Sequence, residues 1–176
     1  MVMKVYCLHV GVNLIRNLLD PKPEHIDLEA IEERLRLIRR WSNDPKSLTV
    51  HQHRSLVVLL AKEMGDREAV IDWCKHHDDH EAITGDIPGP IKSLIGMETD
   101  VLRRIEDALD RAICKARGKR FPERHDRDAV HKYDKAAETA EWLWVLGNDP
   151  APWNARLPPI TEDRIKELIQ LARIQP

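Results

Sequence analysis

Residues 51–81 read HQHRSLVVLLAKEMGDREAVIDWCKHHDDHE. His53 to Met64 is apolar nearly all round, which is the composition of a central, buried helix. Gly65 and Asp66 stop that helix and cap a second one, expected from Arg67 to about Ala82. Five of the nine histidines fall between His51 and His80. Val70, Cys74 and His77 recur at i, i+4 and i+7 on one face of the second helix, and Asp78 follows about 100° further round. A histidine and an aspartate can therefore converge on one point beside the core, with His53 opening the buried helix before them.

Helical periodicity extends outward from this stretch. Leu28 to Trp41 is amphipathic, with Leu28, Ile31, Leu35 and Ile38 on one side. Ser42 to Leu48 reads as a loop, and TGDIPGPIKSLIG (84–96) as a structured loop rather than a helix. Glu98 to Arg117 carries Val101, Ile105, Leu109 and Ala112 along one face. The basic linker GKRFPERH leads to a helix over Asp126 to Leu146. A proline-rich connection, Asn148 to Pro159, precedes a last helix over Thr161 to Ile174, which opens on an imperfect capping box. Seven glycines, one phenylalanine and two tyrosines leave little material for a sheet. The expectation is an all-α bundle of about six or seven helices. At 176 residues and 20.4 kDa it is expected as one domain spanning 1–176, with a core at about 19–147 and a C-terminal extension over 148–176.

Composition excludes several classes of function. With 42% hydrophobic and 33% charged residues the chain is not disordered. Apolar runs such as Ser55 to Ala61 fall far short of the ~20 residues a membrane helix needs. Lys+Arg of 28 against Asp+Glu of 30 gives −2, with no basic excess to hold a nucleic-acid polymer. Cys7, Cys74 and Cys114 are odd in number and widely spaced, so they form no disulfide framework. The opening MVMKVYCLHVGV has a short apolar stretch broken by His9, with no small-residue cleavage site. The expectation is a cytoplasmic protein with reduced thiols.

Asp134 lies between Val130 (i−4) and Ala137 (i+3), so it points to the packed side of its helix. A buried carboxylate there needs a partner, and a divalent metal is one. Together with His53, His77 and Asp78 it offers two imidazoles and two carboxylates. This borderline-hard set suits manganese, cobalt, iron or zinc alike. An inward histidine is also an ordinary hydrogen-bonded core residue, so spacing alone leaves both readings open.

The segments RLRLIRRW, VHQHRSLVV, HHDDHEAITGDIPGPIK and HKYDKAAETAEWL occur in that order. Together they resemble the HD-domain phosphohydrolases, in the branch of bacterial 5′-deoxynucleotidases and related phage deoxynucleotide phosphohydrolases. The likeness covers about Leu19 to Leu146. It implies a helical HD domain whose metal ligands are His53, His77, Asp78 and Asp134, with a second metal in some relatives. His51 is the rival for the first position, and the residue after Gln52 fits the pattern better. His76 and His80 are left for roles around the ligands.

By the same resemblance Glu81 positions or deprotonates an attacking water, and Asp86 assists proton transfer. Glu81 stands i+4 from His77 and i+3 from Asp78. Arg40 and Lys92 become phosphate handles, and Trp41 an indole wall that packs on the sugar or base and leaves no room for a ribose hydroxyl. Pro90 flanks the base through the Pro88-Gly89-Pro90 turn. Asn43 is polar where some phage relatives place an apolar base-packing residue, so no base preference carries over.

The implied activity is metal-dependent hydrolysis of the 5′-phosphate groups of 2′-deoxynucleotides. A monophosphatase is favoured over a triphosphohydrolase. The alternatives are a non-catalytic nucleotide-binding protein of the same fold, an HD-type nuclease and a (p)ppGpp hydrolase. A deoxynucleotide is the expected partner, with no membrane and no polymer, and a homodimer or larger oligomer is implied by the resemblance alone.

Overall fold

The computed structural model describes residues 8–10, 13–149, 151–153 and 157–175. Cys7 and most of the opening segment lie outside the described residues, as do Pro150 and 154–156 of the proline-rich connection. The fold is all-α, apart from an antiparallel hairpin of β1 (Leu8–Val10) and β2 (Asn13–Ile15), in register Leu8↔Ile15. The helices are α1 (Leu28–Leu37), α2 (Arg40–Asn43), α3 (Val50–Glu63), α4 (Glu68–Cys74), α5 (Glu81–Thr84), α6 (Gly89–Glu98), α7 (Val101–Ala116), α8 (Arg124–Ala140) and α9 (Glu162–Arg173).

Eight right-handed helices and the short turn α2 among the described residues exceed the six or seven helices expected, for local reasons. α6 arises within the stretch read as a loop. Pro90 sits in its first turn, where a missing N–H costs nothing, and Lys92 N–H bonds the Pro88 carbonyl at 3.0 Å. α1 stops at Leu37 rather than Trp41, because Ile38 turns extended and Arg39 pairs with Thr49 in an isolated bridge. α4 ends at Cys74 rather than near Ala82. The Nδ1 of His77 lies 2.9 Å from the Cys74 carbonyl, the acceptor that a continuing helix would give to the Asp78 N–H. His77 thus helps to end the helix that leads to it.

The chain forms two compact units, each assembled from two separated stretches. The first comprises the described residues of Met1–Ile38 with Asp79–Phe121. Here α1 packs on α5, and α6 on α7. Ile15, Ile31, Leu35, Ala82, Leu109 and Ile113 make its core. Arg117, just past the end of α7, places Nη2 2.9 Å from Asp79 Oδ2 and 2.7 Å from Glu32 Oε1. One guanidinium thereby ties α1 and the fully buried Asp79 to the end of α7.

The second unit comprises Arg39–Asp78 with the described residues of Pro122–Pro176. In it α3, α4 and α8 pack pairwise, and α9 covers α3. α3 opens on a reciprocal capping box. The Thr49 hydroxyl accepts from Gln52 N–H at 3.2 Å, and the Gln52 side chain accepts from Thr49 N–H at 3.0 Å. α8 runs on into a π-turn, Glu141–Val145, and α9 buries Ile165, Leu168, Ile169 and Ala172. α2 is a left-handed turn rather than a helix: Trp41, Ser42 and Asn43 have φ of 56°, 57° and 64°. Each such non-glycine residue costs about 1–2 kcal/mol. The turn is closed by Arg40 N–H to the Leu48 carbonyl at 3.1 Å and by Ser47 Oγ–H to the Arg40 carbonyl at 2.8 Å.

α9 is therefore part of the core of its unit. Leu168→Ala should remove about 2–5 kcal/mol from the unfolding free energy of that unit. All five tryptophans belong to the second unit, so intrinsic fluorescence in a urea titration reads it selectively. A loss under 1 kcal/mol would mean that α9 is only peripherally docked.

Candidate metal centre

Three elements of the second unit supply the centre. α3 contributes His53 from its first turn, where the capping box fixes the helix start. The turn after α4 contributes His77 and Asp78. α8 contributes Asp134 and Glu138, and the π-turn that continues it contributes Glu141, at i, i+4 and i+7. His53 and Glu141 are wholly buried, at 0% exposure each.

His53 Nε2 lies 3.1 Å from Asp134 Oδ1 and 3.6 Å from Asp78 Oδ2. His77 Nε2 lies 3.2 Å from Asp78 Oδ2 and 4.0 Å from Asp134 Oδ1. Both Nδ1 atoms face away from this point. His53 Nδ1 is 2.5 Å from Glu141 Oε1, and His77 Nδ1 is 2.9 Å from the Cys74 carbonyl. A carboxylate and a carbonyl only accept, so each Nδ1 carries its proton and each Nε2 is the atom turned toward the two aspartates. Histidines that ligate metals are oriented in this way.

The residues fit a divalent metal on two further grounds. Ligand atoms of His53, His77 and Asp78 all lie within 4.8 Å of one another. His77 Nε2 and Asp78 Oδ2 are also buried and face each other at 3.2 Å without a well-formed hydrogen bond, a cost that a shared cation would remove. The cluster is therefore a buried His/Asp group that can hold a metal ion. Cys74 contributes its carbonyl and not its sulfur, since burial, with Asp66 nearby, pushes the thiol up to about 12.

Electrostatics point the same way. Burial and the Arg40 cation work against a charged imidazole at His53. Glu141 and Asp134 outweigh them and hold it protonated up to about 10. Burial likewise opposes a charged His77, and Asp78 overcomes it, so this pKa is raised too. Burial alone would push the carboxyl groups of Asp78, Asp134 and Glu141 upward. The imidazoles, with Arg40 beside Asp78 and Glu141, pull all three below the ordinary carboxylate range. In the metal-free protein, protons on histidine therefore balance the acidic cluster.

All four expected ligands are brought together, and His53, not His51, occupies the first position; His51 Nδ1 instead lies 3.3 Å from Arg54 Nη2. Arg40, expected as a phosphate handle, is buried among carboxylates. Its guanidinium is 3.3 Å from Glu141 Oε2, 3.6 Å from Glu138 Oε1 and 3.7 Å from Asp78 Oδ2. Trp41 donates Nε1–H to Glu141 Oε2 at 2.8 Å, and its ring packs near those of Trp142 and Trp153. The sequence reading missed Glu141. Its signal was the i+7 spacing from Asp134, hidden by the apolar WLWV run that follows it.

The remaining candidates belong to the first unit. Glu81 is nearly fully buried at the start of α5, and Lys92 Nζ lies 3.4 Å from its Oε1 and 3.2 Å from Glu106 Oε1. Asp86 is half-buried in the loop before α6, and Pro90 is exposed on α6. His80 Nδ1 is 2.9 Å from Asp110 Oδ1, which accounts for that histidine as a buried pair with an aspartate.

No protein-family model matches the chain, and no curated protein matches it. Among the described residues no helix is long and apolar enough to cross a membrane.

The proton balance has a measurable consequence. The raised His53 pKa contributes stability that is complete below its ordinary value of 6.5 and lost as pH rises toward about 10. The lowered Asp134 pKa contributes stability above its ordinary value of 3.8. The chelated protein should thus hold this contribution between those two values and lose it above 6.5. A bound metal displaces the His53 proton, so its affinity should climb over the same upper range. Calorimetric titration with zinc in buffers of different ionisation enthalpy should show proton release. A proton count of zero at pH 7 would show that His53 is not a ligand.

Proposed function

We propose that the protein is a metal-dependent phosphohydrolase of the HD-domain class, acting on the 5′-phosphate of 2′-deoxynucleoside monophosphates. One observation carries the reading: the buried His53 and the half-buried His77 have both Nδ1 atoms engaged, and each turns Nε2 toward the same pair of half-buried aspartates. The ordered resemblance of RLRLIRRW, VHQHRSLVV, HHDDHEAITGDIPGPIK and HKYDKAAETAEWL supports it independently.

His53, His77, Asp78 and Asp134 would hold the ion, with manganese, cobalt, iron and zinc all compatible. When bound, such an ion offsets charge on a phosphoryl group and acidifies a water molecule. Glu81 is the base. That role rests on the resemblance; Lys92 Nζ lies 3.4 Å from its Oε1. Water loses a proton to Glu81 and its oxygen bonds to phosphorus. The bond from phosphorus to the 5′ oxygen breaks, and that oxygen takes up a proton with the help of Asp86. Deoxynucleoside and inorganic phosphate leave. The resemblance assigns Lys92 to the phosphate and Pro90 to the nucleoside, whereas Arg40 and Trp41, assigned likewise, are engaged with Glu141.

The test is a product assay on metal-stripped protein. Manganese, cobalt or zinc is restored singly, and matched deoxy- and ribonucleoside mono- and triphosphates are supplied. Phosphate should appear from deoxynucleoside monophosphates, and Glu81→Gln should lower kcat by roughly 10²–10⁴-fold without loss of metal. Intact triphosphate released from a deoxynucleoside triphosphate would reassign the substrate to the triphosphate. Turnover of none of these substrates with any metal would refute the hydrolase reading and leave a binding protein.

A further inference from the structure

We infer that Trp41 is a positioning residue for the metal ligand His53, acting through Glu141; this rests on the metal-site reading above. The two carboxylate oxygens of Glu141 have separate tasks. Oε1 takes the Nδ1 proton of His53 at 2.5 Å. Oε2 takes the indole proton of Trp41 at 2.8 Å and has Arg40 Nε at 3.3 Å. While Trp41 occupies Oε2, the carboxylate cannot rotate away from His53, and His53 stays in the tautomer that presents Nε2.

The left-handed turn serves this arrangement. Adjacent residues point about 100° apart on a helix and to opposite faces on a strand. Arg40 and Trp41 nevertheless reach the same oxygen, and the backbone that allows it is the run of positive φ at Trp41, Ser42 and Asn43. Strain of this kind persists only where surrounding contacts over-determine it. The indole is further fixed by its neighbours. Trp142 lies 5.5 Å from it by ring centroids, and Trp153 stacks on it at 6.0 Å. Trp153 is itself pinned by its Nε1–H to Thr139 Oγ1 at 3.2 Å. The single polar atom of Trp41 is thus aimed at Glu141, which assigns it a task that a sugar-packing wall does not require.

The test measures cobalt(II) affinity by chelator competition, and the visible absorption of the bound ion, in four proteins: wild type, W41F, E141Q and the double variant. W41F keeps a ring but removes the donor, and E141Q keeps the shape but removes the charge. Outer partners of ligating histidines commonly change metal affinity by about 10- to 100-fold, which is the loss expected for E141Q. Trp41 acts one bond further out, so W41F should lose roughly 3- to 10-fold. The signature lies in the combination. In E141Q the amide presents its NH₂ to one donor or the other, either to Trp41 or to His53. Both changes act on the same contact, so the double variant should lose less affinity than the two single losses summed. Thermal melting of the chelated variants checks that each is folded.

Unchanged affinity in W41F would overturn the assignment and return Trp41 to a wall. Independent, additive losses in the double variant would overturn it as well, because two separate packing defects add. If the wild type itself fails to bind cobalt stoichiometrically, the metal site fails, and the positioning role with it. That outcome is read from a different sample, so the two failures are told apart.

Discussion

The second unit is organised around one buried carboxylate. Glu141 is entirely excluded from solvent, and an isolated ion in that position would cost several kcal/mol. It is tolerated because His53, Trp41 and Arg40 converge on it from α3 and from the left-handed turn. Removing any one of the three leaves the carboxylate short of a partner, so the contact fixes α8 against α3 and holds the turn in a conformation it would not choose alone. The same contact sets the tautomer of His53. Packing and chemistry therefore depend on a single group, placed two helical turns beyond Asp134 in the π-turn that continues α8. The π-turn begins at this residue, where the Leu146 N–H reaches back to the Glu141 carbonyl at 2.9 Å. Such local widening of a helix recurs at functional sites.

A second constraint comes from the backbone after α4. His77 takes the Cys74 carbonyl with its ring and so helps to end the helix it was expected to extend. His77 and Asp78 then stand on a turn. The next residue, Asp79, is held within the first unit by Arg117, at 2.9 Å. Of two adjacent aspartates, Asp79 pairs with Arg117 and Asp78 with His77 and Arg40. Two residues of identical chemistry are thus made different by what lies beside them.

The sequence was informative where chemistry repeats at helical spacing. His53 at the start of an apolar helix, Asp134 between Val130 and Ala137, and the His77-Asp78 pair are legible because their apolar neighbours set the inward face. The existence and most of the length of α7, α8 and α9 follow from the same periodicity, although Glu98 closes α6 and α8 begins at Arg124 and ends at Ala140. Glu141 was not legible. A glutamate followed by WLWV looks like the solvent edge of an apolar run, and only the position of His53 in space gives it a partner. The left-handed turn at Trp41 escaped for a related reason. Of Arg-Trp-Ser-Asn only Asn43 takes positive φ readily, and at Trp41 and Ser42 the conformation is imposed by contacts from Glu141 and from Leu48. α6 was hidden by Pro88, Gly89 and Pro90, whose local preference for a turn holds only for the first turn of the helix. The two units each join distant stretches of chain, so no shift in composition marks where one gives way to the other.

Charge balance joins these observations. Asp78, Asp134, Glu138 and Glu141 approach one another in the second unit with Arg40 as their guanidinium, and protonated imidazoles carry the rest of the compensation in the metal-free state. A scaffold selected for stability alone would sooner replace such a cluster with apolar residues, which cost no desolvation. Retaining two histidines between aspartates makes sense if the compensating charge has to be exchangeable. Protons fill that role in the absence of metal, and a divalent ion held there would take it over by displacing them. On this argument the excess of acid is the part of the site that selects a cation. The Nδ1 contacts of His53 and His77 are the part that decides which atoms meet it.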